Sequence, residues 1–269
     1  MRHALAARGA WLAVALVAAA SSAGAQPTAA PVLAPFSTAS DTTPPPPWRV
    51  VTLPKQPRHS DYRIETLDGQ RVLRMASDGG YANLLHPIQS ATTNGAAPQL
   101  RWRWRVAQLP AGSDLTRKAG DDVAARVCVL FDLPLARLTA ADRLAMRLGR
   151  ALFDPALPAA SICYVWDARL PAGTWLANAY TARVQMLVLR SAASGDGDRW
   201  VEESRDLAAD FARAFPHEAA GGYFPPLAAV GVAADADNTG SRTLAHVGDL
   251  VLSAPPAATP RASPSAPAR

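Results

Sequence analysis

The sequence carries none of the short signatures that mark a familiar chemistry. It has no G-x-S-x-G, H-E-x-x-H, C-x-x-C, G-x-x-x-x-G-K-[ST] or G-x-G-x-x-G. Histidines are few: past residue 25 only His59, His86, His217 and His246 remain, scattered and without metal-ligand spacing. A zinc site or a Ser-His-Asp triad would need long-range assembly that nothing local suggests. Long apolar runs are also missing. The longest early one, Trp11–Ala20, falls short of the ~20 residues needed to span a bilayer. Cys128 and Cys163 are the only cysteines, and both fall inside expected strands. They read either as a disulfide, which export permits, or as two small buried hydrophobes; strand pairing is not readable from sequence.

What is present begins with an address. Arg2 and Arg8, the apolar run and Ala23-Gly24-Ala25 compose a secretory signal over residues 1–25 with an A-x-A cleavage site. The expected location is therefore periplasmic or secreted, without a transmembrane segment. The high pI overstates the basicity. Of 27 Lys and Arg, Arg2 and Arg8 leave with the signal, while Arg261 and Arg269 lie in the C-terminal tail. That leaves 23 bases against 22 acids, a net of +1. Nucleic-acid binders show a clustered basic footprint, so that class is rejected.

Residues 26–47 are rich in Pro, Ala, Ser and Thr and read as a linker; residues 254–269 read as a disordered Pro/Ala/Ser tail. Between them, residues 48–253 suit one all-β domain. Tyr62–Thr66 and Val72–Met75 flank Asp68-Gly69, a hairpin signal. Ala82–Leu85 reads as a further short strand. Leu100–Val106 alternates, with Leu100, Trp102, Trp104 and Val106 on one face and Arg101, Arg103 and Arg105 on the other. Val123–Phe131 is apolar on both faces, as in a central strand. Thr139–Asp142 has capping-box form, and Leu144, Leu148 and Leu152 recur at helical spacing, predicting an amphipathic helix across a sheet edge. Ile162–Asp167 and Arg183–Arg190 return to strand. Trp200–Arg205 leads into a second short helix marked by Leu207, Phe211 and Phe215. Ala228–Ala234 and His246–Leu252 are strands around the loop Asp235–Arg242. Many strands, few helices and no βαβ rhythm predict an antiparallel β-sandwich, jelly-roll-like, with one or two short helices.

Several phrases resemble the bacterial domain of unknown function 3047 family. They are Leu100–Val106, Asp114–Lys118 followed by Gly120-Asp121-Asp122, Val127–Asp132, Tyr164–Asp167, Tyr180-Thr181, Arg205-Asp206, Asp210-Phe211 and Asp235–Gly240 (DADNTG). They keep their order over most of Trp48–Leu252; the helix near Thr139–Leu152 is not covered. The resemblance implies an exported β-rich domain and no particular activity.

Asp235–Gly240 is the most suggestive loop. Asp235, Asp237 and Thr239 are spaced like the first ligands of a calcium loop, but His246 stands where the bidentate Glu belongs, which excludes an EF-hand. Two readings stay open: an irregular calcium site using Asp235 and Asp237, or an Asx-type turn. No other cofactor is expected. The second candidate is a charged and aromatic face: Arg103, Asp121, Asp122, Arg126, Tyr164, Trp166, Asp167, Arg183, Arg205, Asp206, Asp235 and Asn238. Guanidinium and carboxylate groups suit hydroxyl-rich ligands, and exposed rings, Trp175, Tyr180 and Trp200 among them, can stack on sugars; the same residues read equally as a structural ion-pair network with core aromatics. The expected function is ligand binding without chemistry, the ligand a carbohydrate or other polyhydroxylated envelope molecule. The alternatives are a hydrolase or lyase using paired aspartates and a structural or protein-interaction module of the envelope.

Overall fold

A computed structural model describes residues 33–54, 56–88, 98–152 and 158–253. The expected signal, the start of the expected linker and the expected C-terminal tail lie outside the described residues. Among the described residues the chain is an all-β domain of two sheets with two α-helices. No helix among the described residues is long and apolar enough to cross a membrane.

The strands in chain order are β1 (Arg49–Val51), β2 (Asp61–Leu67), β3 (Gln70–Asp78), β4 (Tyr81–Pro87), β5 (Gln99–Gln108), β6 (Ala125–Phe131), β7 (Ala160–Asp167), β8 (Trp175–Asn178), β9 (Thr181–Ser191), β10 (Val201–Asp206), β11 (Leu227–Asp235), β12 (Arg242–Val247) and β13 (Val251–Ser253). One sheet runs β1-β4-β11-β6-β7-β9-β8. The other runs β10-β5-β12-β3-β2, with β13 also pairing β5. The hairpin β2–β3 turns at Asp68 (φ 52°) and Gly69 (φ 74°), with Leu67 opposite Gln70. Both central residues at positive φ is what a two-residue type I′ turn requires, hence Asp-Gly.

Alternation sets the faces. Leu100, Trp102, Trp104 and Val106 of β5 are buried, and the arginines between them point outward. Trp102 meets Tyr164 of the facing sheet at 5.4 Å between ring centroids, and Trp104 meets Trp166 at 5.6 Å. These rings stitch the two sheets together. β6 is central, between β11 and β7, and is closed on both faces. Its inward residues join the main core. Outward, Cys128 joins Cys163, Val165, Met186 and Val188 in a second apolar cluster roofed by Leu115 and Val123. Cys128 and Cys163 stand directly opposite on β6 and β7 and form a disulfide.

Four expectations need correction. The sandwich is not wholly antiparallel: β8 swings to the sheet edge, and β9 returns between it and β7, pairing β7 in parallel. The expected strand His246–Leu252 is two strands, β12 and β13, separated by residues 248–250; the Gly248 N–H bonds the Arg103 carbonyl there. Part of the supposed linker packs, with Leu33, Phe36 and Ala39 buried. Phe36 lies 4.9 Å from the Trp48 ring, and the indole N–H of Trp48 bonds the Ala34 carbonyl. Three apolar side chains outweigh the Pro-rich composition around them. Last, helix α1 (Ala140–Leu152) forms with Thr139 and Asp142 exchanging cap contacts, but it packs through Met146. Leu144 and Leu148, on the other side, are 60% and 54% exposed. Helix α2 (Leu207–Ala214) begins as expected, its N-terminal amides held by Asp206.

Candidate functional site

Three loops meet at one end of the β6–β11 pair. The first is residues 113–124. There the Asp114 N–H bonds the Gly120 carbonyl, and Asp114 carboxylate oxygens accept from Thr116 and Arg117. Gly120 must be glycine, since a Cβ would come within 2.7 Å of the Asp114 nitrogen. The Asp122 N–H then returns to the Gly120 carbonyl with Asp121 at φ −75°, ψ 56°, an inverse γ-turn. This tight turn throws Asp121 and Asp122 inward side by side.

The second loop follows β11 and carries Asp235–Gly240. Asp122, not the loop's own acids, organises it. Asp122 Oδ1 accepts from the Asn238 N–H at 3.1 Å, and Oδ2 accepts from the Thr239 N–H at 2.8 Å and its hydroxyl at 2.5 Å. The carboxylate that caps these loop amides thus comes from outside the loop, not from Asp235 or Asp237. The third loop joins β8 to β9. Asn178 donates to Asp121 Oδ2 at 2.6 Å, and the Tyr180 hydroxyl donates to Asn238 Oδ1 at 2.8 Å. Tyr180 remains 57% exposed at the mouth, with the Lys118 ammonium 5.2 Å from its ring.

Beneath lies Arg126, on the outward face of β6. It bonds Asp235 Oδ2 at 2.8 Å, both side chains nearly sealed from solvent, and lies 5.3 Å from the Tyr81 ring. Asp235 and Asp121 act on this guanidinium, and Asp122 and Asp237 stand beside those two carboxyls. Burial lifts the Asp235 carboxyl well above the ordinary carboxylate range; Arg126 opposes this, and the Asp237 and Asp122 carboxylates reinforce it. Burial likewise raises Asp121 against the pull of Arg126 and Asn178. Tyr180 is raised by desolvation and then by the acids below it. Asp121 Oδ1 and Asp235 Oδ1 are buried without a hydrogen-bond partner.

The other residues singled out by sequence do not join this pocket. Tyr164 and Trp166 point into the core between the sheets. The Tyr164 hydroxyl donates to Asp210, which also receives both arms of Arg205. Asp167 caps a turn, accepting from the Arg169 N–H at 2.8 Å and from the Leu170 N–H. Arg183 pairs with Glu218 at 2.6 Å. Arg103 lies on the outer face of the other sheet, 4.6 Å over the Trp200 ring. A single arginine-lined face is therefore not formed. A β-sandwich strand with two apolar faces, such as β7, gives no alternation from which to tell inward rings from outward ones. Sequence reasoning missed Asn178 and Lys118. Asn178 stands two residues before Tyr180 in a turn, the one local signal that could have drawn notice. On the outer face of the six-stranded sheet a shallow groove of about 670 Å³ is lined by Arg58, Arg74, Arg242, Asp61, Asp78 and Gln108 among others. Its arginines are paired with Asp61 and Asp78.

No curated protein matches the sequence. Among solved structures, the chain is similar to the crystal structure of the Spr0440 glycoside hydrolase domain, Endo-D, from Streptococcus pneumoniae R6. The identity is 11% and the TM-score 0.31, over 77% of this chain and 21% of that one. A family model matches residues 46–251, a span that includes all three loops of the pocket. The chain belongs to that family, which is described as Protein of unknown function (DUF3047).

Proposed function

We propose that this domain is a ligand-binding module of the cell envelope, and that its three-loop pocket takes a carbohydrate or another polyhydroxylated molecule. The observation that carries the reading is the Tyr180 ring, exposed beside a floor of carboxylates and carboxamides. Hydroxyl groups need acceptors and donors at close spacing. Asp121 supplies an unpartnered oxygen, and Asn178 and Asn238 supply amides. An aromatic ring at the rim offers a flat apolar surface to the C–H face of a sugar. The Cys128–Cys163 bond supports an exported setting, where disulfides persist.

The test is calorimetric titration of the mature protein with a glycan panel, repeated on Tyr180→Ala and Asp121→Asn. A binding module predicts saturable heat with at least one glycan and a loss of about tenfold or more in affinity for each variant, each tenfold step being 1.4 kcal/mol. Absence of any glycan response would sink the reading, as would unchanged affinity in Tyr180→Ala. Retained affinity with lost turnover in Asp121→Asn would instead establish an enzyme.

A further inference from the structure

Asp235 presents a problem that the rest of the pocket does not solve. Its Oδ2 is satisfied by Arg126, yet its Oδ1 is buried with no hydrogen-bond partner. The Asp237 carboxyl lies against it, and the Asp122 carboxylate completes the group. One ligand oxygen from each of the three lies within 4.8 Å of the others. Asp237 accepts from Asn238 and Gln56, and Asp122 from Asn238 and Thr239, so no donor from either loop reaches Asp235 Oδ1. A buried acceptor beside two further carboxylates is costly unless a cation or a shared proton sits among them. Arg126 bonds Oδ2 only, and none of its N–H groups reaches Oδ1.

We propose that Asp235, Asp237 and Asp122 hold a divalent cation of the calcium class, with Asp235 Oδ1 as its innermost ligand. The span fits: two oxygens on opposite sides of an ion bound at ~2.4 Å lie ~4.8 Å apart, and nearer pairs less. The chemistry fits as well, since calcium takes carboxylate and carbonyl oxygens in irregular geometry and keeps waters in the remaining positions. Asp122 has a double role, adding negative charge to the ion while fixing the amides of the loop that presents Asp237. The ion would tie the 121–122 turn to the 235–241 loop beneath the mouth marked by Tyr180. The inference does not rest on glycan binding, because the three carboxylates converge whether or not a glycan is present.

The experiment uses the mature full chain stripped with EDTA and titrated with calcium or magnesium in the absence of any glycan. Calorimetry is expected to give one calcium per chain with a dissociation constant at or below about 1 mM, the range of extracellular calcium modules. Calcium is also expected to raise the melting temperature over the EDTA-treated protein. Asp237→Asn is the variant of choice, as it sits at the open side of the group while Asp235 is bound into the buried ion pair. It is expected to weaken calcium about tenfold or more while melting in EDTA within a few degrees of the parent. No saturable response to either metal would overturn the proposal and mean that Asp235 and Asp237 share a proton instead. Equal calcium affinity in Asp237→Asn would overturn it too. Glycan titrations run in parallel with and without EDTA keep the two readings apart, since a glycan response persisting without any metal response rejects the cation alone.

Discussion

The Arg126 guanidinium and the Asp235 carboxylate meet at 2.8 Å with side-chain exposures of 9% and 4%. They stand on adjacent strands, β6 and β11, on the face turned away from the main core. A pair so enclosed is strong only while both partners are present, because removal of either leaves a desolvated charge.

Arg126→Met is therefore expected to cost about 3–5 kcal/mol in chemical denaturation. The double replacement Arg126→Met with Asp235→Leu is expected to recover most of that loss, since an apolar pair of similar volume carries no orphaned charge. A single variant as stable as the parent would show that water reaches the pair.

The disulfide joins residues 35 apart in sequence across the β6–β7 pair. Its closure of the unfolded chain is worth about 3–4 kcal/mol on loop-entropy grounds. Replacing both cysteines by alanine should lower stability by that order, read by urea titration. A change below about 1 kcal/mol would mean the cross-strand link adds nothing to what the ladder already imposes.

His86 gives the domain an acid-sensitive anchor for its N-terminal segment. Its Nε2 accepts from the Ala34 N–H at 3.1 Å and its Nδ1 faces the Pro87 carbonyl at 2.9 Å. This arrangement demands the neutral ring, protonated on Nδ1. Burial, beside Trp48 at 5.0 Å, lowers its pKa from the ordinary 6.5. Above that value neither folded nor unfolded chain binds the proton. Below it the unfolded chain takes the proton first, so stability should fall as pH drops from about 6.5 toward the lower folded value. Melting curves between about pH 7 and pH 5 should slope less for His86→Gln, whose amide oxygen still accepts from Ala34 but does not titrate. Equal slopes would reject the assignment.

Helix α1 offers a contrast within three turns. Met146→Ala should cost about 2–5 kcal/mol, as a buried side chain lost from the core. Leu144→Gln with Leu148→Gln should stay within about 0.5 kcal/mol of the parent, because both side chains already face solvent. A large loss in the double glutamine variant would place a packed surface over this face.

Much of the fold was legible because it rests on local rules. The Trp/Arg alternation of β5 set its faces, Asp68-Gly69 set a hairpin, and Leu207, Phe211 and Phe215 marked α2. Short strands at the edges were not legible: β1 is three residues beside a proline run, and β8 is four residues between turns. Helical spacing showed that α1 exists, but which side packs was decided by the sheet rim it meets, a tertiary matter. The pocket was half legible. Gly120-Asp121-Asp122 and Asp235–Gly240 stood out as acidic turns, and Arg126 as a charge in an apolar strand. Their convergence was hidden, since no local pattern tells Asp122 to seek Asn238. The arginines at 183 and 205 misled for the same reason, as their partners Glu218 and Asp210 lie on other segments.

Asp122 reaches Asn238 across 116 residues of chain, and the β6–β11 ladder brings the two loops to one end of the sheet. A truncated chain that ends before β11 keeps Asp121 and Asp122 but lacks the loop they hold. On the ligand-binding reading proposed above, retention on an immobilised ligand would accordingly sort molecules by completion: those with the ladder closed stay on the column, and nascent, nicked or misregistered chains pass through.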